Sequence, residues 1–147
     1  MEKIRVLFVC THNSARSQMA ETFLNALAGD RFLAESAGLE PRDINPLVIK
    51  VMKELGFDLS EKRANSVFDY YKEGRLYEFV ITVCDKTADE KCPIFPGVRK
   101  RFNWPFPDPS KLKGSNEEKL KEVRKIRDEI KLRIENWIRG FNEAQEV

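Results

Sequence analysis

The chain has 147 residues, 41% hydrophobic and 34% charged, with a net charge of +2. This is the size of one domain with a real core, and so small a net charge gives no argument for nucleic acid. No apolar run approaches the ~20 residues of a membrane span, and the N-terminus runs directly into a strand pattern without a signal peptide. The expected location is therefore the cytoplasm.

Residues 4–10 end in a continuous apolar run, as a buried parallel strand does. Ser14 is a candidate cap for a helix over residues 15–28. Met19, Phe23, Leu24 and Leu27 share one face of it, and Gly29 ends it. Residues 32–37 read as a second strand closed by Gly38. Asn45 caps a further helix, with Pro46 at its first position, and Gly56 stops it. Its apolar stripe is Leu47, Val48, Val51, Met52 and Leu55. Residues 61–77 suit one or two short helices. Residues 79–84 form the most β-branched segment, a third strand ending at Cys84. A polar loop is expected over Asp85 to Lys91, then Cys92-Pro93. Residues 98–104 read as a fourth strand. Pro105, Pro107 and Pro109 impose an extended loop. From Asn116 to Phe141, apolar residues recur at helical spacing, as in a long amphipathic helix.

Strands alternating with helices imply an α/β domain over residues 1–147, a four-stranded parallel sheet flanked by helices on both faces. Ligands of such sheets bind at the carboxyl ends of the strands. Cys10 and Cys84 fall at such ends, and Asp108 lies just beyond another.

The loop Cys10-Thr11-His12-Asn13-Ser14-Ala15-Arg16-Ser17 has the length to curl its backbone N–H groups around one tetrahedral oxyanion. The following helix directs its positive end at the same point. That field favours the thiolate of Cys10 beneath the anion. Arg16 reaches back over the loop to grip two oxygens, and Ser17 donates to the Cys10 sulfur. Asp108, stiffened by prolines and aromatics, has the surroundings that raise a carboxyl's proton affinity and suit a general acid. The three cysteines are an odd count without a Cys-x-x-Cys pair, so neither paired structural disulfides nor a zinc site is indicated.

The run Val9 to Glu21, with Ser36-Ala37-Gly38, Cys84, Cys92-Pro93 and Asp108-Pro109, resembles the low-molecular-weight tyrosine phosphatase superfamily. It is most similar to the thioredoxin-coupled arsenate reductase branch. Gln18 after Arg16-Ser17 points to that branch, where phosphatases more often carry proline. The resemblance implies that Cys10 attacks arsenate and Arg16 grips it, with Asp108 as leaving-group acid. Cys84 then attacks Cys10, and Cys92 resolves the pair to a Cys84–Cys92 disulfide for thioredoxin. Phosphate and sulfate are competing oxyanions, and a monomer is expected. The resemblance also nominates potassium near the loop, with Asn13, Glu21, Ser36 and Asn65 as ligand candidates, and Asn65 replaces an aspartate there.

Two departures stand out: His12 takes a usual glycine position, and seven residues separate Cys84 from Cys92, one more than is usual. The alternative is a low-molecular-weight phosphatase that hydrolyses phosphate monoesters through a cysteinyl-phosphate. Ser110-Lys111 after Asp108-Pro109, in place of paired aromatics, counts against phosphotyrosine. A noncatalytic anion-binding module would not need all these groups together.

Overall fold

A computed structural model describes the backbone of residues 2–145, and side chains there except those of 86–88 and 143–145. Strand β1 (Ile4–Cys10) leads through the loop into α1 (Arg16–Ala28), then β2 (Phe32–Gly38) and α2 (Pro46–Lys53). Helix α3 (Val67–Lys72), β3 (Phe79–Thr82), α4 (Lys86–Lys91) and β4 (Lys100–Asn103) follow. A 3-10 turn (Pro109–Lys111) and the long α5 (Asn116–Gln145) complete the order. The four strands are parallel, in the order β2-β1-β3-β4.

Central strand β1 is buried on both sides, and its alternation divides the core. Val6, Phe8 and Cys10 join the larger cluster with α1, α2 and α5; Leu7 and Val9 join the smaller one with α3. Helices thus cover both faces, as the alternating pattern implied. The stripe of α5 packs as expected, with Val123, Ile126, Ile130 and Ile134 buried.

The structure differs from the sequence reading at several boundaries. Ser14 does not cap α1: Ala15 holds that position without a side-chain hydrogen bond, and the Ser14 carbonyl accepts from Asn45 N–H at 2.9 Å. Leu27 is 44% exposed, because α1 buries only Met19, Phe23 and Leu24 of the proposed face. Leu55 is also exposed, since α2 ends at Lys53 before reaching it. Residues 85–91 are not an open loop but carry α4, tethered to its surroundings by Asp89. The β3 ladder stops at Thr82, although Val83 N–H still donates to the Val9 carbonyl at 2.8 Å.

Candidate active site

The loop after β1 is shaped by where its carbonyl groups go. Those of Cys10, Thr11, His12 and Ser14 accept from the N–H groups of Leu39, Glu40, Arg42 and Asn45, at 2.7–3.2 Å. The Asn13 carbonyl accepts from the Gln18 side chain at 3.2 Å. In a trans peptide the C=O and the next N–H point oppositely, so pinning these five carbonyls turns the N–H groups of residues 11–15 the other way. Asn13 makes the tight bend with φ of 51°, a region asparagine tolerates. Gly38 lets the loop lie close: a Cβ there would stand 2.7 Å from the Asn13 nitrogen and 2.8 Å from the His12 carbonyl carbon.

Cys10 lies at the floor of this cradle, 2% exposed. Its Sγ accepts from Asn13 N–H at 3.2 Å and is 2.9 Å from Ser17 Oγ. Asn13 Nδ2 donates to the same Oγ at 2.8 Å, which leaves the Ser17 proton to donate to sulfur. Arg16 is buried at the start of α1. Its Nη1 donates to the Phe106 carbonyl at 3.1 Å and its Nη2 is 3.6 Å from Asp108 Oδ2. Arg16, Phe106 and Asp108 open on a cleft of about 450 Å³, walled also by Thr11, His12, Asp85, Lys91 and Lys111 among others. Phe106 and the His12 imidazole are the aromatic rings among the described residues lining it. The His12 ring is oriented by Nδ1, which donates to the Glu40 carbonyl at 3.0 Å.

Asp108 departs from the electrostatic expectation. Burial pushes its carboxyl up, but the Ser110 hydroxyl and N–H, with Arg16 and Lys111, together hold it below the usual carboxylate range. Both Ser110 bonds fall on Oδ1, at 2.8 and 2.9 Å, leaving Oδ2 toward Arg16. The proline- and aromatic-rich sequence conveyed the desolvation but not the turn at Ser110 that outweighs it.

The second thiol stands beside the first. Cys84 is buried with its Sγ 3.8 Å from the Val9 carbonyl, and the charges acting on it include Cys10 and Arg16. Desolvation, with Cys10 and Asp85 adding, pushes its thiol up to about 12. Cys92 is elsewhere: it joins the smaller core cluster, on the sheet face opposite Cys10 and Cys84. All three are free thiols.

The potassium candidates come together but do not fit a cation. Asn13 Oδ1 already accepts from Gln18 Nε2 at 3.1 Å and from Asn65 N–H at 2.8 Å. Glu21 Oε1 accepts from Ser36 Oγ at 3.1 Å, and its Oε2 is paired with the Lys62 ammonium. Asn65 turns its Nδ2 donor toward the Ser36 carbonyl at 3.4 Å. Asn13 Oδ1 thus already accepts twice, and the Lys62 ammonium on Glu21 brings a positive charge that would repel a second cation.

Sequence reasoning overlooked Lys62, for its pairing with Glu21 is 41 residues distant and has no local pattern. It also read Gln18 only as a branch marker. In the fold this residue is fully buried and binds Asn13 twice and the Arg63 carbonyl once.

An arsenate reductase of Halalkalibacterium halodurans is 39% identical over 137 residues, 93% of this chain and 96% of that protein. A solved arsenate reductase in a phosphate-binding state superposes with a TM-score of 0.75 at 30% identity, over 93% of this chain and 98% of the other. The thioredoxin-dependent arsenate reductase of Corynebacterium glutamicum gives a TM-score of 0.73 at 28% identity, over 97% of this chain and 63% of the other. The match to the low molecular weight phosphotyrosine protein phosphatase family runs over residues 5–147, and the chain belongs to that family.

Proposed function

We propose that this protein reduces arsenate to arsenite through a relay of three thiols recharged by thioredoxin. The observation that carries the reading is the burial of a second thiol, Cys84, against the backbone of Val9, next to a cysteine seated in an oxyanion cradle. Hydrolysis of a phosphate ester needs one thiol there, not two. The arsenate reductases among its relatives support the same substrate, and the thioredoxin-dependent neighbour supports the donor.

Arsenate enters as a tetrahedral anion, held by the remaining N–H groups of the Cys10–Ser17 loop and the Arg16 fork, while Asn13 N–H stays on the Cys10 sulfur. Cys10 sulfur attacks arsenic, and the departing hydroxide leaves as water with a proton from Asp108 Oδ2. The dianion draws on Arg16 and places negative charge by the carboxylate, which raises its proton affinity when substrate is bound. Cys84 then attacks Cys10 sulfur, giving up its thiol proton to an oxygen of the departing arsenic group. The S–As electron pair passes to arsenic, which leaves as arsenite, and a Cys10–Cys84 disulfide forms. Cys92 attacks Cys84, freeing Cys10 and forming Cys84–Cys92, which the thioredoxin dithiol reduces by exchange. A disulfide needs Cα atoms within about 7 Å, so Cys92 must cross from its own sheet face as α4 unwinds.

The test is NADPH oxidation coupled through thioredoxin and its reductase. One NADPH is expected per arsenite formed. Efficient aryl phosphate hydrolysis without arsenate-dependent oxidation would instead assign the phosphatase chemistry of the wider family.

Asp108→Asn should lower the first-step rate by about 100-fold, a usual general-acid contribution. With the Asp108 acid held low and Cys84 pushed up to about 12, raising pH depletes the acid but enriches the Cys84 thiolate. When the first step limits, wild-type kcat/KM should therefore fall as pH rises through the acidic range in which the free enzyme's Asp108 gives up its proton. In Asp108→Asn that fall should vanish; its persistence in stopped-flow pH profiles would remove Asp108 from the role.

A further inference from the structure

A polar cluster lies across the sheet from the cradle, around the one thiol kept apart from it. Cys92 is buried in the cluster that contains Tyr77, Val80 and Phe95. Burial pushes its thiol up to about 11, the Arg101 guanidinium on β4 opposes that by charge and hydrogen bond, and Asp89 on α4 adds to it. Neither Cys10 nor Cys84 is among the groups acting on it.

Arg101 grips the chain on both sides of this thiol. Its Nη2 donates to Asp89 O at 3.2 Å and Asp89 Oδ1 at 3.3 Å, and its Nη1 to the Pro93 carbonyl at 3.5 Å. Thr82 Oγ1 donates to the same Asp89 Oδ1 at 2.7 Å. Asn103 Nδ2 ties this to the other thiol, donating to Thr82 Oγ1 at 2.8 Å and to the Cys84 carbonyl at 3.1 Å. Cys92 N–H itself donates to Asp89 O at 3.2 Å. Helix α4 has six residues, too few to persist on its own hydrogen bonds. Its place is set by these tethers, which run from β3 and β4 and converge on Asp89.

We propose that Arg101 is a positioning residue: it latches the Asp85–Pro93 stretch to β4 and keeps Cys92 from Cys84 until the Cys10–Cys84 disulfide exists. The role rests on the relay reading. A Cys84–Cys92 disulfide formed too early would leave Cys10 without its partner, and arsenate bound to Cys10 would go unreduced. Arg101 itself lies outside the cradle, while the stretch it holds carries Asp85 and Lys91 of the cleft wall.

The test follows the premature reaction without arsenate, in a Cys10→Ser background. Cys84 and Cys92 together lose two protons and two electrons to glutathione disulfide, which leaves as two glutathione molecules. Peptide mapping follows the Cys84–Cys92 bond with time. Losing the guanidinium also removes charge that favours the Cys92 thiolate, so rates are compared per thiolate; on that basis Arg101→Gln should speed bond formation by about tenfold or more. Arg101→Lys, which keeps the charge but not the fork, should lie between. Amide exchange should quicken at Asp89 to Cys92 and stay unchanged at Val80 and Ile81, which general loosening would not give. If Arg101→Gln does not fold, Asp89→Asn reads the same latch from its other side. Equal oxidation rates in variant and parent would overturn the latch. Absence of arsenate-dependent turnover in wild type would overturn the relay reading instead, and leaves these oxidation rates unaffected.

Discussion

Replacing Cys10 with serine should cut arsenate-dependent turnover by about ten-thousand-fold or more, the scale seen when an essential nucleophile is removed. The side chain at position 10 takes part in two successive bonds of the proposed reaction. It must first bond arsenic, and then be attacked by Cys84 so that the electron pair stays on arsenic. A serine oxygen is a poor nucleophile at neutral pH and gives no sulfur for Cys84 to attack. The cradle should survive, because its carbonyl tethers to residues 39–45 do not involve the Cys10 side chain. Phosphate or arsenate should therefore still protect Cys10→Ser against thermal unfolding. Loss of both turnover and anion protection would indicate a collapsed loop rather than a missing nucleophile.

Arg16→Lys should lower kcat/KM for arsenate by about 100- to 1,000-fold, the usual cost of losing an oxyanion-holding donor. The native guanidinium is positioned by its Nη1 bond to the Phe106 carbonyl while Nη2 faces Asp108. An ammonium is a point charge that cannot hold the wall of the cleft and present two parallel donors to an anion. The variant should show a higher KM and a lower kcat together, since the same fork binds substrate and steadies the charge on its departing oxygen. A rise in KM alone, measured in the thioredoxin-coupled assay, would limit Arg16 to ground-state binding.

Most of the fold is legible in the chain because its signals are local. The apolar run at residues 4–10, the Asn45-Pro46 cap and the long stripe of α5 each carry their own period or stop signal, and each is found in place. The loop from Cys10 to Ser17 is legible for the same reason, as its spacing between strand and helix is contiguous. What is not legible depends on partners remote in sequence. The charged stretch at residues 85–91 lacks an apolar period, and it is helical through contacts from Thr82 and Arg101. Ser14 has the local pattern of a cap, and the use of its carbonyl by Asn45, 31 residues later, has no local signal. Cys92 follows Cys84 closely in the chain, yet lies across the sheet from it because α4 turns the path under β3 and β4. The paired Lys62 and Glu21 likewise meet only through the fold.

The most direct test of the relay is a single turnover of Cys92→Ser with one equivalent of arsenate, followed by alkylation and peptide mapping. The account predicts one arsenite released per protein, an accumulated Cys10–Cys84 disulfide, and no further turnover with thioredoxin at the wild-type rate. Arsenite release with Cys10 and Cys84 both still alkylatable, or undiminished multiple turnover without Cys92, would contradict it.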